Sequence, residues 1–262
     1  MHKSVFALVI KLNDDITRFG TAFCVGRSGT FLTSSYICEN VTKMYIQNSS
    51  IYEEVQIQND YKMCNVCVLK LVNMAIRIPP IMLSQQKPKI GTSITSVSFD
   101  SNALTFIHNA GVVKSTEYKR TGAFQSMLTS IPASIGSMRG SPILNVAGQL
   151  IGILTWTLDA NNSGGVDSNV IQHLLEEKML GHLGVVTGND ECVTKVIVPE
   201  SGFEEGDIIQ YVKNAQVGPF SYSSQYVSMF CEPFKEILVT YERNGEKQQM
   251  KVLINDQHTL KI

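Results

Sequence analysis

Short apolar runs, rich in β-branched and aromatic side chains, recur through the first 160 residues and are separated by clusters of Asn, Asp, Ser and Gly. Runs of this kind predict strands rather than helices. They fall at residues 4–12, 21–25, 30–33, 43–46, 54–58 and 66–71, with breakers at Asn13-Asp14-Asp15, Arg27-Ser28-Gly29, Asn48-Ser49-Ser50 and Asn59-Asp60. After Pro79-Pro80 a second set follows at 93–99, 103–107, 111–115, 126–129, 141–144 and 150–155. Two sets of about six short strands predict two similar all-β units, hence a double barrel or a sandwich. Helical spacing first appears at 167–179, where Val170, Ile171, Leu174 and Leu175 share a face. Beyond Gly181 the pattern changes. Short strands at 184–187, 192–198, 207–212, 237–241 and 249–254 surround a helical stretch near 223–230, and Arg243-Asn244-Gly245-Glu246 reads as a hairpin turn. The change places a domain boundary near Gly181: residues 1–180, residues 181–256, and a tail at 257–262.

Composition narrows the function classes. The 262 residues are 44% hydrophobic and 17% charged, a globular balance. Lys and Arg number 22 against 23 Asp and Glu, so bulk charge gives no reason to expect nucleic acid or an anionic membrane as partner. No apolar stretch approaches the ~18 residues that span a bilayer. The apolar run from Val5 to Ile10 is shorter than a secretory core and lacks a small-residue cleavage site, so an intracellular, cytoplasmic protein is expected. The six cysteines are scattered and are expected as free thiols. Cys64 and Cys67 form a C-x-x-C, but 63–71 reads as a strand that would send the two sulfurs to opposite faces, against a redox or zinc pair. No metal-ligand spacing or phosphate-binding glycine loop is present, and no cofactor is expected.

Several motifs, in register, carry a resemblance. Gly20-Thr21-Ala22-Phe23 leads through a turn to Gly29-Thr30-Phe31-Leu32-Thr33-Ser34-Ser35-Tyr36-Ile37. Asn65-Val66-Cys67-Val68-Leu69-Lys70 follows, then Ser137-Met138-Arg139-Gly140-Ser141-Pro142-Ile143-Leu144-Asn145 and Gly148-Gln149-Leu150-Ile151-Gly152-Ile153. Together these resemble the HtrA/Deg serine proteases. Gly202-Phe203-Glu204-Glu205-Gly206-Asp207-Ile208-Ile209, with Asn214 at a later turn and the Arg243 hairpin, is similar to the PDZ module that follows such proteases. The resemblance implies a mainly β fold: a chymotrypsin/trypsin-like double six-stranded barrel, then a small α+β PDZ domain.

The departures bear on chemistry. Acyl transfer in this fold needs a serine hydroxyl, an imidazole and a carboxylate. By the resemblance, the histidine position is Tyr36, the aspartate position Asn65 and the nucleophile position Arg139. A phenol, with a pKa of ~10 in water, is a poor base at neutral pH. An amide carries no charge to stabilise an imidazolium, and a guanidinium cannot attack a carbonyl. The expectation is a catalytically inactive pseudoprotease, with Arg139 filling the former active site and paired with a nearby acceptor. Met138-Arg139, with Ser141 for a glycine, would also reshape an oxyanion hole built around Ser137 and Arg139. The alternative enzyme reading is an atypical endopeptidase with a displaced nucleophile: Ser137, Ser141, Ser34, Ser35, or Cys38 with His108.

The PDZ resemblance implies peptide binding by strand addition, with backbone N–H groups receiving a terminal carboxylate. His182-Leu183-Gly184-Val185 stands at the carboxylate-binding loop, Val185 and Thr187 on the receiving strand, and Tyr226, Val227 and Phe230 on the opposite helix. Leu183 and Val185 can instead anchor the linker in a core. Partners are then proteins or peptides, recognised as extended segments or C-termini, and the function is that of a protein-binding or scaffold subunit. A purely architectural subunit, its groove filled by its own tail, is the third alternative. The aromatic segment through which HtrA proteases trimerise is not found ahead of the first strand, so a monomer or hetero-complex is expected.

Overall fold

A computed structural model describes residues 3–12, 17–119, 125–132, 138–176, 181–188, 190–213, 215–217, 227, 231 and 234–256. The chain divides into two compact units, residues 1–118 with 125–171, and residues 119–124 with 172–262.

The first unit holds two closed barrels. Strands β1 (Val5–Lys11), β2 (Thr17–Gly26), β3 (Thr30–Thr33), β4 (Lys43–Gln47), β5 (Tyr52–Tyr61) and β6 (Val66–Leu71) close in the order β1-β2-β3-β6-β5-β4. The apolar run of β1 is buried on both faces. Phe6, Leu8 and Ile10 point into the barrel with Phe31, Ile46 and Leu69, while Val5, Ala7 and Val9 are buried on the outer side. The second barrel comprises β7 (Ser93–Asp100), β8 (Thr105–Lys119), β9 (Gln125–Thr129), β10 (Pro142–Asn145), β11 (Leu150–Asp159) and β12 (Asn162–Asp167), in the order β10-β11-β12-β9-β8-β7.

Two compensating differences separate this barrel from the sequence reading. The strands expected at 103–107 and 111–115 are one, β8, because His108, Asn109 and Ala110 continue the ladder opposite Val97, Ser96 and Thr95. The sixth strand, β12 (Asn-Ser-Gly-Gly-Val-Asp), is not among the strands expected from sequence, yet it pairs with both β11 and β9. Its glycines answer to packing. A Cβ on Gly164 would lie 2.3 Å from the Trp156 ring, and one on Gly165 would lie 1.7 Å from the Ile153 carbonyl oxygen. The C-x-x-C segment also departs from a strand. Cys64 ends a 3-10 turn (Lys62–Cys64), and Asn65 takes a left-handed conformation before β6 begins. A helix α1 (Ser168–Glu176) follows β12, capped by the Asp167 carboxylate, which accepts the Asn169 and Val170 N–H groups.

The second unit contains β13 (Gly181–His182), β14 (Val185–Thr187), β15 (Val193–Val196), β16 (Ile208–Val212), β17 (Ala215–Gln216), β18 (Glu236–Arg243), β19 (Glu246–Leu253) and β20 (Asn255–Asp256). They form a four-stranded sheet, β17-β16-β18-β19, and the pairs β14-β15 and β13-β20. The predicted hairpin is present: Asn244 and Gly245 both have positive φ between paired Arg243 and Glu246. Arg243 grips the Gly202–Asp207 turn, donating from Nε and Nη2 to the two Asp207 carboxylate oxygens (2.7 Å each) and from Nη1 to Glu204 (2.7 Å). Of the helix expected near 223–230, only Val227 is described, and it is helical. Among the described residues no helix is long and apolar enough to cross a membrane.

Candidate functional site

Both barrels contribute to the site predicted in the first unit. β3 ends at Thr33, and the 3-10 turn after it carries Tyr36, which is 53% exposed. Asn65 sits beside this turn because β3 pairs with β6, Thr33 opposite Cys67. Its carboxamide is engaged at both ends. Oδ1 accepts from the Ser34 hydroxyl and from the Tyr36 N–H, each at 2.8 Å, and Nδ2 donates to the Thr155 carbonyl of β11 at 2.7 Å. The amide therefore has its own task, since a carboxylate could keep the two acceptor contacts but not the donor contact to the second barrel.

Arg139 reaches the same place from the other barrel. Met138, buried in the second barrel's core, anchors the turn, and the Gly140 N–H donates to the Leu154 carbonyl at 2.7 Å. Gly140 has φ +87°, and a Cβ there would lie 2.4 Å from the Thr21 carbonyl oxygen. Only glycine lets this turn sit so close to the first barrel. Ser141 is accommodated inside, its hydroxyl donating to that of Ser98 at 2.8 Å. The Arg139 guanidinium lies over the Tyr36 ring, 4.5 Å from its centroid. The acceptor expected for Arg139 is thus an aromatic face. Ser137 lies outside the described residues, and with it the oxyanion turn.

The other candidates are dispersed. Cys38 is buried in the first barrel's core, and His108 is exposed on β8. Ser34 and Ser35 are buried, and Ser34 is bonded to Asn65. Burial pushes the Cys64 thiol up to about 12 and Cys24 to about 11, and the hydrogen-bonded Cys38 thiol and burial raise Cys67 as well. Such thiols stay protonated and unreactive at neutral pH. Among the described residues no group of three His, Cys, Asp or Glu side chains is placed to hold a metal.

In the second unit, Leu183, Val185 and Val227 lie in one buried apolar cluster, and Thr187 is partly exposed. Tyr226 and Phe230 lie outside the described residues. Gly184 has φ +83°, its carbonyl accepts the Ile197 and Val198 N–H groups, and its own N–H donates to His182 Nδ1 at 2.8 Å. Sequence reasoning missed the roles of Thr155 and His182. The first acts through a backbone carbonyl, which no side-chain pattern marks. The second had a faint signal in the two-residue spacing from His182 to a loop glycine.

A family model described as the trypsin-like peptidase domain matches residues 20–153, just over half of the chain. The chain belongs to that family. No curated protein sequence matches it. Among solved structures, this trypsin-like chain is similar to the serine endoprotease from Yersinia pestis, with a TM-score of 0.64 at 19% identity over 97% of this chain and 94% of that one. The HtrA-type protease AlgW with a tripeptide gives 0.63 at 18% identity, covering 97% and 94%. AlgW with a decapeptide gives 0.64 at 16%, covering 97% and 96%. The trypsin-like fold is thus shared with HtrA-type proteases.

Proposed function

We propose that this trypsin-like chain is an HtrA-like pseudoprotease, catalytically inactive and serving as a protein-binding or scaffold subunit. The observation that carries this reading is the Arg139 guanidinium stacked on Tyr36, beside an Asn65 amide whose oxygen and nitrogen are both engaged. None of the three side chains supplies a nucleophile, a base or a tautomer-holding carboxylate. The second unit is read as a PDZ-type module that takes extended segments or C-termini of partner proteins by strand addition to β14. AlgW, similar in fold over nearly the whole chain, has been solved with a tripeptide and with a decapeptide.

The test is a fluorophosphonate or thiol-directed active-site probe, with unfolded casein as substrate, on purified chain. No labelling and no cleavage are expected. Labelling removed by Ser137→Ala or Cys38→Ala would overturn inactivity in favour of a displaced nucleophile. A purely architectural subunit is the second reading, favoured by the burial of Leu183, Val185 and Val227. A chain that assembles with its partners but takes no peptide would support it.

A further inference from the structure

The loop read above as a carboxylate receptor has its glycine N–H already bonded. The Gly184 amide donates to the His182 ring two residues earlier, Nδ1 at 2.8 Å. The other side of the residue is held as well: its carbonyl accepts the Ile197 and Val198 N–H groups at 2.8 and 2.9 Å. A Cβ on this residue would also lie 2.8 Å from the Val198 side chain. The loop is therefore fixed on one side and latched on the other by an imidazole.

We propose that His182 is a proton-operated latch on this loop: neutral, its Nδ1 holds the Gly184 N–H; protonated, it releases that N–H to a carboxylate terminus and adds a positive charge beside it. The inference rests on the peptide-binding reading of the second unit. The chemistry is specific to the atom used. A neutral imidazole has one ring nitrogen able to accept, and Nδ1 is committed to that role here. Protonation makes both nitrogens donors, so two N–H groups would face each other and the bond must open. The freed amide and the imidazolium then suit an anion.

Burial holds the His182 pKa below the ordinary histidine value, so the latch is closed at neutral pH and opens on acidification. Linkage runs both ways: a bound carboxylate favours the protonated ring and raises its pKa. Among the described residues, β20 sets Asn255 opposite His182 and Asp256 opposite Gly181, and the stretch packed on Gly184 contributes Val196, Ile197 and Val198. Asp256 is the titratable residue on that neighbouring strand, so its neutral variant serves as control.

The probe is a pool of fluorescent hexapeptides lacking Asp, Glu and His, with free or amidated C-termini, titrated with the full chain at pH 7.5 and pH 5.5. The free terminus stays ionised at both values. Wild-type protein should bind the free-carboxylate pool about tenfold more tightly at the lower pH, as gain of one charge-assisted hydrogen bond implies. His182→Phe, which removes the acceptor, should bind with no such pH dependence and more tightly than wild type at pH 7.5. His182→Asn retains an acceptor for the N–H two residues on and cannot titrate, so it should bind weakly at both. Asp256→Asn should keep the wild-type profile. In parallel, the Gly184 amide resonance should titrate with the His182 ring in the unliganded chain. A flat wild-type profile, or a Gly184 amide indifferent to His182, overturns the latch while leaving peptide binding intact. Absence of free-carboxylate binding by every variant, His182→Phe included, overturns the peptide-binding reading and the latch with it.

Discussion

The two barrels have the same strand count and closure but reach close packing differently. The first fills its interior with large apolar side chains, Phe6 meeting Phe31 edge-on at 5.6 Å with Ile10, Ile46 and Leu69 around them. The second has a smaller apolar cluster, with Met127, Ile143 and Ile151 in it, and adds close backbone contact and buried hydroxyls: Ser141 donates to Ser98 at 2.8 Å, and Thr129 to the Ser163 carbonyl at 2.9 Å. Along β12 it removes side chains altogether, so that Trp156 and the Ile153 carbonyl occupy the space over Gly164 and Gly165. A barrel packed by side chains degrades gradually when one is trimmed. Where backbone contact does the packing, as over Gly164 and Gly165, nothing can be added.

The largest expected effect follows from that contrast. Gly165→Ala puts a methyl 1.7 Å from a backbone oxygen that no rotamer can move, so β11 and β12 must part. Phe31→Ala in the first barrel should cost about 3–5 kcal/mol, the usual range for a buried phenylalanine. Urea denaturation of both variants should find Gly165→Ala the more damaging, though it changes volume far less. The reverse order would mean that β11 and β12 part easily and that their close approach contributes little.

The same contrast explains what could be read from sequence. Apolar side chains announce strands through their periodicity, so β1, β3 and β6 were legible almost to the residue. β12 was not, because glycines chosen for a neighbour's proximity look like turn residues when read locally. Cys64 was misread for a related reason: the left-handed turn at Asn65 is stabilised by contacts to Ser34, Tyr36 and Thr155, none of them local in sequence. The substituted triad positions were legible, since residue identity alone decides what chemistry is absent. That Arg139 would turn into the former active site was expected; that its partner there is the Tyr36 ring was not legible, because the two residues are 103 positions apart.

The Asn65–Thr155 hydrogen bond joins the two barrels, and Asn65→Asp tests that joint at intermediate scale. The carboxylate retains the Ser34 and Tyr36 donors but sets an anionic oxygen against the Thr155 carbonyl in place of a 2.7 Å hydrogen bond. The loss expected at neutral pH is about 1–3 kcal/mol, that of a buried acceptor left without its donor. The deficit should narrow near pH 4, where a protonated carboxyl can donate to Thr155 again. Equal stability of the two proteins at pH 7 would show that the barrels are held together elsewhere.

The smallest effect is the most informative about the cleft. Tyr36 is more than half exposed, so the Arg139 stack is worth roughly 0.5–1 kcal/mol, the range for solvent-accessible cation–π pairs. Arg139→Ala, Tyr36→Ala and the double variant form a cycle that isolates this coupling from the separate losses. Tyr36→Phe distinguishes its origin: the ring face is kept and the hydroxyl removed, so the coupling to Arg139 should persist. A coupling near zero would mean that the guanidinium is not held over the ring, leaving the cleft open to an extended chain. A coupling lost in Tyr36→Phe would place the contact at the hydroxyl. Persistence in Tyr36→Phe would make the aromatic face the element that covers the cleft, with Gly140 setting the reach of the arginine.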